Sequence, residues 1–476
     1  MHPFYQMYSD EDIVRIYRAG LEILDKVGME LNHKRALEML AGGGARVDTA
    51  KKRVYFPPEQ VEKCLALAPT EFTCTGRTAE FDYQAGLQVD AKIRTASGAI
   101  DRFDLYRGTT ARMTSADIAE QALISDALPN VGCVGSLVPS DTPNETYDIH
   151  ALRTLLQNTR KNLWVLTASS KNLAYQMKML EAVFGDKETM RNERNQGSGI
   201  FCVISPLTIP DDEIERAFIL ADYGLPVKVP VTTLMGGNAP YTMAGLLAQA
   251  TAEFMGCTTI LQTIKPGMPV WYYALFQALD MASGVVQYTS AELQSLFAAV
   301  AQLARYCKIP PTTTCTTSSS VQSEQTVFNL TQGTMFNTLL GVGEQGGSGL
   351  DGNTAYSPHA LILQDEIMSY CKRILRGFTL SDDTLGIDAV AQACAGKREY
   401  ISSPHTLQHV RVEDRFRSKV FNYVGAKLWL ENPTTLMQRT DEYLEKLKAK
   451  HVVPPLDDHV LKDLDEIVDA ADKALT

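Results

Sequence analysis

Short apolar runs alternate with longer amphipathic segments between residues 110 and 376, and this alternation restricts the fold more than any other feature. Eight runs have strand character, at residues 131–138, 163–168, 199–205, 227–234, 257–262, 284–288, 311–315 and 339–344. Segments with helical spacing follow them. Strands that alternate with helices predict a parallel sheet, and a count of eight favours a closed barrel. We therefore predict an α/β fold, a TIM (β/α)8 barrel, with a doubly wound open sheet as the alternative.

The sequence on either side of this alternation has a different character. Residues 1–110 begin with helical spacing and continue with short alternating runs that are typical of hairpins. Residues 381–476 again have helical spacing. We therefore predict three regions: an N-terminal mixed α/β extension over 1–110, the barrel over 111–380, and a C-terminal helical extension over 381–476.

Composition excludes several classes of protein. The net charge of −11 argues against a nucleic-acid-binding surface, which requires a basic groove. The N-terminal sequence lacks the features of a signal peptide, and no apolar run reaches the roughly 18 residues of a membrane span. Nine cysteines occur without CxxC spacing, which is typical of a reducing compartment. We expect a cytoplasmic enzyme.

Two short motifs suggest cofactor or metal binding but lack the context for it. Residues 341–346 spell GxGxxG, yet the motif comes late in the alternation, without the early strand of a dinucleotide site. We interpret it as the flexible top of the eighth strand. His405 and His409 are four residues apart, but the glutamate and third ligand of a zinc site are missing. We predict no metal bound by this chain's own ligands.

An aromatic cluster is the first candidate for a binding site. Trp271, Tyr272, Tyr273 and Phe276 come after the predicted fifth strand, and Tyr356 and His359 come after the eighth. Barrels keep their chemistry at the strand tops. Aromatic faces also hold quaternary ammonium groups well, since such a cation cannot donate hydrogen bonds. The alternative is that these rings pack beneath a long loop.

Polar residues at predicted strand tops form a second candidate set. Gln262, Thr316 and Asp351 follow predicted strands, and Glu292 begins a predicted helix. Residues 312–320 read TTTCTTSSS and offer hydroxyls and backbone amides that could receive a carboxylate. Each residue could equally be a helix cap or a satisfied turn residue.

Several stretches, in chain order, resemble the trimethylamine methyltransferase superfamily, and in particular its branch without pyrrolysine that demethylates quaternary amines such as glycine betaine. The most extensive match is residues 236–267. The others are residues 107–117, 158–161, 205–208, 346–352, 365–366 and 405–407. The resemblance covers nearly the whole chain.

This resemblance implies a TIM barrel whose open top admits the corrinoid of a small partner protein. Trimethylamine enzymes of archaea carry pyrrolysine near the seventh strand, whereas residues 313–320 of this chain are ordinary amino acids. A quaternary ammonium already contains a neutral leaving group, so attack by Co(I) needs no acid or covalent helper. The chain would then place the substrate, and we assign no catalytic residue. Glycine betaine, proline betaine, carnitine and γ-butyrobetaine remain open as substrates.

Two other functions remain open at this point. A barrel lyase or aldolase would need a Schiff-base lysine, for which Lys228 and Lys265 are candidates, or a metal cluster. A binding protein could hold a betaine without turnover. Large barrels also commonly form symmetric homo-oligomers, which we expect here.

Overall fold

The structure is a computed structural model that describes residues 4–87, 90–411 and 415–476. Residues 1–3, 88–89 and 412–414 of the two predicted extensions lie outside the described residues. No helix within the described ranges is long and apolar enough to cross a membrane.

The first part of the chain forms three helices and eight short strands. In chain order these are α1 (Asp10–Lys26), β1 (Met29–Glu30), α2 (Lys34–Gly42), β2 (Arg46–Asp48), β3 (Arg53–Tyr55), α3 (Pro58–Leu65), β4 (Phe72–Cys74), β5 (Tyr83–Ala85), β6 (Lys92–Arg94), β7 (Asp101–Asp104) and β8 (Thr109–Arg112). Ser9 begins α1 by accepting a hydrogen bond from the Asp12 backbone, and three acidic residues in the first turn complement the helix dipole.

The middle of the chain alternates between strands and helices. Its elements are α4 (Ser115–Ala127), β9 (Val131–Gly135), α5 (Tyr147–Asn158), β10 (Asn162–Trp164), α6 (Ser170–Phe184), α7 (Lys187–Asn192), β11 (Gly197–Ile200), α8 (Asp211–Tyr223), β12 (Val227–Val231), β13 (Leu234–Met235), α9 (Met243–Ile264), β14 (Val270–Ala274), β15 (Gln277–Leu279), β16 (Val286–Gln287), α10 (Ala291–Cys307), β17 (Pro311–Cys315), α11 (Glu324–Leu339), β18 (Glu344–Gly347), β19 (Gly349–Leu350), β20 (Ala355–Tyr356) and α12 (Pro358–Arg376).

The last part of the described chain is helical. It contains α13 (Asp382–Leu385), α14 (Ile387–Ala395), α15 (Pro404–His409), α16 (Ala426–Glu431), α17 (Leu436–Lys450) and α18 (Asp458–Leu475). Helix α17 packs on α12 and α4, and α18 packs on α5 and α6, so both lie on the outside of the barrel.

Eight parallel strands close into a barrel, which confirms the predicted fold class. Their order around the barrel is β6, β9, β10, β11, β12, β14, β17 and β18, and β18 pairs again with β6. The β4–β5 hairpin lies across the amino-terminal ends of these strands, where Phe72 packs edge-on against Trp271. Two small sheets, β13–β15–β16 and β19–β20–β7–β8, flank the carboxyl-terminal ends. The barrel is therefore plugged at its lower end and flanked by short strands at its upper end.

The residues that form the barrel strands differ from the prediction at four places. The first barrel strand is β6, inside the predicted 1–110 extension, so the expected boundary at 110 does not coincide with the start of the barrel. Residues 257–262 belong to α9, and the true sixth strand is β14. Residues 284–288 contribute only β16, outside the barrel, and the eighth strand begins at Glu344 rather than at 339.

The mistaken strand at 257–262 has a physical explanation. Helix α9 is buried on almost every side, because α1 and α3 cover the face that does not touch the barrel. A helix buried all round carries a continuous apolar run, and such a run cannot be distinguished from a buried strand by periodicity.

Candidate functional site

Side chains fill the lumen, the space enclosed by the eight strands, at successive levels. Each level takes side chains from alternate strands, and the pairing registers determine which residues share it. From the lower end upward, the registers give Cys133, Ser198, Trp271 and Glu344; then Arg94, Trp164, Lys228 and Thr312; then Gly135, Ile200, Tyr273 and Gly346; and then Ala96, Leu166, Pro230 and Thr314. The two lower levels contain large and charged side chains, whereas the upper two contain mostly small or apolar ones.

A buried ionic cluster fills the two lower levels. Glu344 lies 3.3 Å from Lys228 Nζ and accepts a hydrogen bond from Arg94 Nε at 3.2 Å. Tyr83 of the hairpin donates its hydroxyl to Glu344 at 2.7 Å, and Lys228 donates to Ser198 at 3.1 Å. Burial raises the pKa of Glu344, but the charges of Lys228 and Arg94 and the bond from Tyr83 outweigh burial, so that its pKa lies below the ordinary value. Glu344 is therefore ionised.

The two buried cations lie against the aromatic rings of the lumen. Arg94 Cζ is 4.3 Å from the centroid of the Trp164 ring and 4.6 Å from that of Tyr273. Lys228 Nζ is 4.0 Å from the centroid of the Trp271 ring. Such contacts stabilise a cation that has lost its water. The aromatic faces of the lower lumen are thus already in contact with the protein's own charges.

Three polar groups around the second and fourth levels remain without partners. Arg94 Nη2, Trp164 Nε1 and Thr314 Oγ1 have no hydrogen-bond partner among the residues that the structure describes. These side chains are 2%, 4% and 5% exposed. Buried polar groups are normally satisfied, so these three donors are candidates for binding a ligand.

A glycine lies directly beside these donors, which lets Arg94 pack against the strand backbone. A Cβ atom on Gly346 would lie 2.3 Å from Arg94 Nη2. Above that level, Ser97, Leu166 and Leu275 are only partly buried, so solvent reaches the lumen from the upper end. We call this space the cup: its floor is formed by Arg94 and Trp164, and its opening lies at the carboxyl-terminal ends of the strands. Barrels keep their active sites at this end.

The mouth of the cup, formed by the connections after β11, β12, β14 and β17, is apolar. Its exposed large apolar side chains are Ile204, Tyr241, Met281, Val285 and Phe328. We call these five side chains the collar; the first four lie in the connections after β11, β12 and β14, and Phe328 lies in α11. Exposed apolar side chains that follow successive barrel strands make the mouth a candidate site of interaction.

The predicted aromatic residues lie in the barrel wall and not in a loop, because Trp271 and Tyr272 belong to β14. Trp271 faces the lumen beside Lys228, with 1% exposure. Tyr272 faces outward and stacks on Phe254 at 4.0 Å between centroids, while Phe276 stacks on Phe297. As substrate contacts these three residues stay predictions, and the rings that lie against Arg94 are those of Trp164 and Tyr273.

Tyr356 and His359 lie outside the lumen, between the barrel and α17. His359 Nε2 pairs with Asp441 at 3.0 Å, and burial lowers the pKa of His359 in spite of that carboxylate. Tyr356 is fully buried on β20. The structure does not bring these two residues to the cup, and no comparison tests a role for them in binding.

The predicted polar residues divide between the two ends of the barrel. Gln262 lies at the lower end, where it donates to the Met268 carbonyl at 2.7 Å and orders the turn before β14. Thr316 lies at the upper end and donates to the Gly349 carbonyl at 2.9 Å. Asp351 follows the eighth strand and Glu292 lies in the first turn of α10, both exposed. Of the four predicted polar residues, only Thr316, Asp351 and Glu292 lie at the carboxyl-terminal end of the barrel, where the cup opens.

Neither short motif forms a cofactor site in the described residues. Gly341 lies in the turn that enters β18 from below, so the interpretation of this motif as the top of the eighth strand is wrong. His405 and His409 lie together on α15 with their ring centroids 4.3 Å apart. Among the described residues no group of three or more metal-ligating side chains is found, at these histidines or elsewhere.

Arg94 and Glu344 were not identified from the sequence, although one signal was present. Each of β6, β12 and β18 carries a charged residue at an inward position of a strand that is otherwise buried. Charged residues are almost never fully buried unless they are paired or functional. Charged residues within predicted barrel strands were therefore the signal for the lumen cluster.

Comparison with known proteins agrees with this architecture. Residues 1–475 match the family model described as trimethylamine methyltransferase (MTTB). The chain is 26% identical over 485 residues to the trimethylamine methyltransferase MttB of Methanosarcina barkeri, covering 98% of this chain and 95% of that protein. It is 23% identical over 470 residues to a glycine betaine methyltransferase of Desulfitobacterium hafniense, covering 96% and 95%.

A solved structure shares the fold. The monomethylamine methyltransferase MtmB of Methanosarcina barkeri aligns with a TM-score of 0.53 at 11% identity, covering 99% of this chain and 88% of that one. The family match extends over nearly the whole chain. This protein belongs to the trimethylamine methyltransferase family.

Proposed function

We propose that this member of the trimethylamine methyltransferase family transfers a methyl group from a quaternary amine to the Co(I) of a cognate corrinoid protein. The observation that carries the proposal is the cup: a lumen plugged below, open above, and surrounded by an apolar collar. A small substrate can lie on the floor while a protein partner approaches from the mouth. The relatives named above act on trimethylamine and glycine betaine, which supports an amine methyl donor.

The chain's task in this reaction is placement. When the corrinoid protein is bound, its reduced cobalt supplies the electron pair that forms the new bond to the methyl carbon. The bond that breaks is the one between that carbon and nitrogen, whose electrons stay on nitrogen and give a neutral tertiary amine. No proton has to move, so the cup needs only to fix the substrate with one methyl toward the mouth and to exclude water.

The collar fits the docking of such a partner. Its exposed side chains, among them Met281 and Phe328, offer apolar surface that could cover a corrinoid-bearing face. All nine cysteines are free thiols, which fits a cytoplasmic location. Both the partner and the location are parts of the proposal.

The test is a panel of amines mixed with the protein and a reduced corrinoid protein. Glycine betaine, proline betaine, carnitine, γ-butyrobetaine and trimethylamine are compared by the absorption spectrum of the corrinoid and by the demethylated amine released. Methylation of the corrinoid with a quaternary amine supports the proposal. Binding of a betaine without methylation would indicate a binding protein, and a borohydride-trapped adduct at Lys228 or Lys265 would indicate a lyase.

A further inference from the structure

Two of the connections that carry the collar are bonded to one buried helix, α9. Ile204 lies in the connection between β11 and α8, and Tyr241 lies in the connection between β12 and α9. Both side chains are 57% exposed at the mouth. The backbones of the two connections accept or donate hydrogen bonds with side chains of α9, which is buried on almost every side. The helix therefore links the mouth of the cup to the interior of the protein.

Glu253 of α9 makes the first of these contacts. It is fully buried, and its carboxylate accepts hydrogen bonds from Ser205 Oγ at 2.7 Å, from the Leu207 backbone N–H at 3.0 Å and from Gln249 Nε2 at 3.0 Å. A buried carboxylate costs free energy unless donors surround it. Two of its three donors belong to the connection after β11. The buried carboxylate and the shape of that connection therefore depend on each other.

The connection after β11 has a tight shape that its own residues do not favour. Ile204 and Thr208 exchange two backbone hydrogen bonds, of 2.8 and 3.0 Å, and close a short turn. Within this turn Leu207 has a φ of 54°, in the left-handed region that leucine rarely adopts. Its N–H is bonded to Glu253, and its carbonyl accepts from the Glu30 backbone at 2.8 Å. Strained backbone of this kind persists only where surrounding bonds impose it.

Gln249, one turn before Glu253 on α9, makes the second contact. Its Nε2 donates both to that carboxylate and to the Asn238 carbonyl of the connection after β12, at 3.0 Å in each case. The Asn238 side chain in turn accepts from the Leu234 N–H at 2.6 Å and donates to the Thr232 carbonyl at 3.2 Å. These bonds fix the backbone of the connection after β12.

The connection after β12 also supports a third collar side chain. A Cβ atom added to Gly236 would lie 2.6 Å from the Tyr241 ring and 3.7 Å from Met281 Sδ. Tyr241 and Met281 come from different connections, yet they lie against the same stretch of backbone. Bonds from α9 thus reach three of the five collar side chains, since Ile204 belongs to the connection after β11.

We infer that Glu253 and Gln249 are positioning residues, which hold the collar in the shape that receives the methyl-accepting corrinoid protein. This inference rests on the proposed methyl transfer. Helix α9 packs on the outer face of β12 and β14, so neither side chain contacts an amine in the cup. A connection that is already ordered loses little freedom when a partner binds, whereas a loosened one must be ordered during docking. The two residues therefore determine the affinity for the corrinoid protein and not for the amine.

Kinetics of the full-length protein test this inference, with the corrinoid protein of the amine panel as the varied substrate. Glu253→Ala should raise the KM for the corrinoid protein about 10-fold or more. The kcat and the calorimetric affinity for the amine should stay within about 2-fold of the wild-type values. An unchanged KM would overturn the inference. Equal losses in kcat and amine affinity would also overturn it, because they indicate a general loss of structure.

Glu253→Gln is the conservative variant that should restore the collar. Its amide keeps an acceptor oxygen for the Leu207 N–H and places an NH2 beside the Ser205 hydroxyl, which can accept as well as donate. Burial raises the pKa of Glu253, against the effect of its three donors, so replacing the carboxylate by a neutral amide should cost little. The KM for the corrinoid protein should therefore stay at the wild-type value. A KM as high as that of Glu253→Ala would contradict the positioning role.

Gln249→Leu keeps the test decisive if Glu253→Ala does not fold. It removes both amide bonds at similar volume and should raise the KM for the corrinoid protein about 3-fold. Asp126 is the matched control, because its side chain is also fully buried and accepts from a backbone N–H, that of Arg160, at 2.6 Å. It lies near the end of α4, at the lower end of the barrel. Asp126→Ala should lower stability and leave this KM unchanged; a rise equal to that of Glu253→Ala would sink the inference.

Hydrogen exchange measures the order of the connection without any corrinoid protein. The Leu207 N–H is bonded to Glu253 in the wild type and should exchange slowly. In Glu253→Ala, exchange over residues 201–209 should become about 10-fold faster, while barrel strands such as β12 keep their protection. Exchange at the wild-type rate would show that Glu253 does not order this connection.

Failure of this inference is distinguishable from failure of the proposed function. Sedimentation of mixtures measures the binding of the corrinoid protein whether or not a methyl group moves. If no amine methylates the corrinoid protein but the wild type binds it more tightly than Glu253→Ala does, the positioning role stands and methyl transfer fails. If methylation proceeds and Glu253→Ala has the wild-type KM, methyl transfer stands and the positioning role fails.

Discussion

The lower and upper halves of the lumen are built from the same eight strands but have opposite chemistry. In the lower half Glu344, Lys228, Tyr83 and Ser198 satisfy one another, and the hairpin excludes water. In the upper half Arg94 Nη2, Trp164 Nε1 and Thr314 Oγ1 have no hydrogen-bond partner among the described residues, and Gly346 lies against Arg94. The comparison indicates that the residues that stabilise this barrel and the residues available to bind a ligand lie at different levels of the lumen. Substitutions below should therefore change unfolding, and substitutions above should change ligand affinity.

The largest effect is expected from Glu344→Ala in the lower half. This change leaves Lys228 and Arg94 buried without a counter-charge and should lower the free energy of unfolding by about 3–5 kcal/mol. Urea unfolding followed by circular dichroism measures it, with Glu292→Ala, an exposed carboxylate, as the control. A loss below about 1 kcal/mol would show that the ionic cluster does not stabilise the barrel.

Tyr83→Phe should have an intermediate effect. It removes only the hydroxyl that the hairpin donates to Glu344, a bond to a charged acceptor, and should cost about 1.5–3 kcal/mol of unfolding free energy. The same urea experiment applies, with Tyr241→Phe at an exposed ring for comparison. If Tyr83→Phe is as stable as the wild type, the hairpin is held by packing alone.

In the upper half, Thr314→Val should leave the free energy of unfolding almost unchanged. Because its hydroxyl has no partner among the described residues, the free energy of unfolding should stay within about 0.5 kcal/mol of the wild-type value or rise slightly. Thermal or urea unfolding without ligand provides the measurement. A clear loss of stability would indicate that Thr314 belongs to the structural half, and the division of the lumen would have to be redrawn.

The smallest effect is expected from pH. The pKa of Glu344 lies below its ordinary value of 4.5, so the fold favours its ionised form. The stability from this shift is therefore complete above about pH 4.5 and is lost as the pH falls through the lower, folded value. Glu344→Gln should remove this part of the acid dependence. The measurement is the free energy of unfolding of the wild type and of Glu344→Gln between pH 3 and 6, about the range of carboxyl titration. If the two proteins lose stability in parallel as the pH falls, the prediction is wrong.

The fold could be predicted from the sequence because alternation is a property of whole segments, and several barrel strands, such as β9, β12 and β14, lie in apolar runs. Strand β6 was not predicted, because it has only three residues and two of them, Lys92 and Arg94, are basic. Strand β18 reads EQGG and has little strand propensity. A short strand of this kind is formed by its neighbours in the closed barrel, so its own residues carry almost no signal.

The site was harder to predict, because it depends on register. The sequence indicated an aromatic cluster at residues 271–276, but only the alternation of β14 decides that Trp271 and Tyr273 face the lumen and Tyr272 faces α9. The partners of Trp271 and Tyr273, Lys228 and Arg94, are distant in sequence and are brought close by closure of the barrel. No local pattern contains that information.

The β4–β5 hairpin at the base of the barrel has a kinetic consequence. Since the hairpin closes the amino-terminal end of the barrel, an amine and its product must both pass through the mouth of the cup, where a methyl acceptor would also dock. In the proposed methyl transfer, the reaction would then follow a compulsory order: the amine enters first, the acceptor arrives second, and the product waits for the acceptor to leave. A large excess of acceptor should consequently slow steady-state turnover, and a velocity that only saturates would show that a second passage exists.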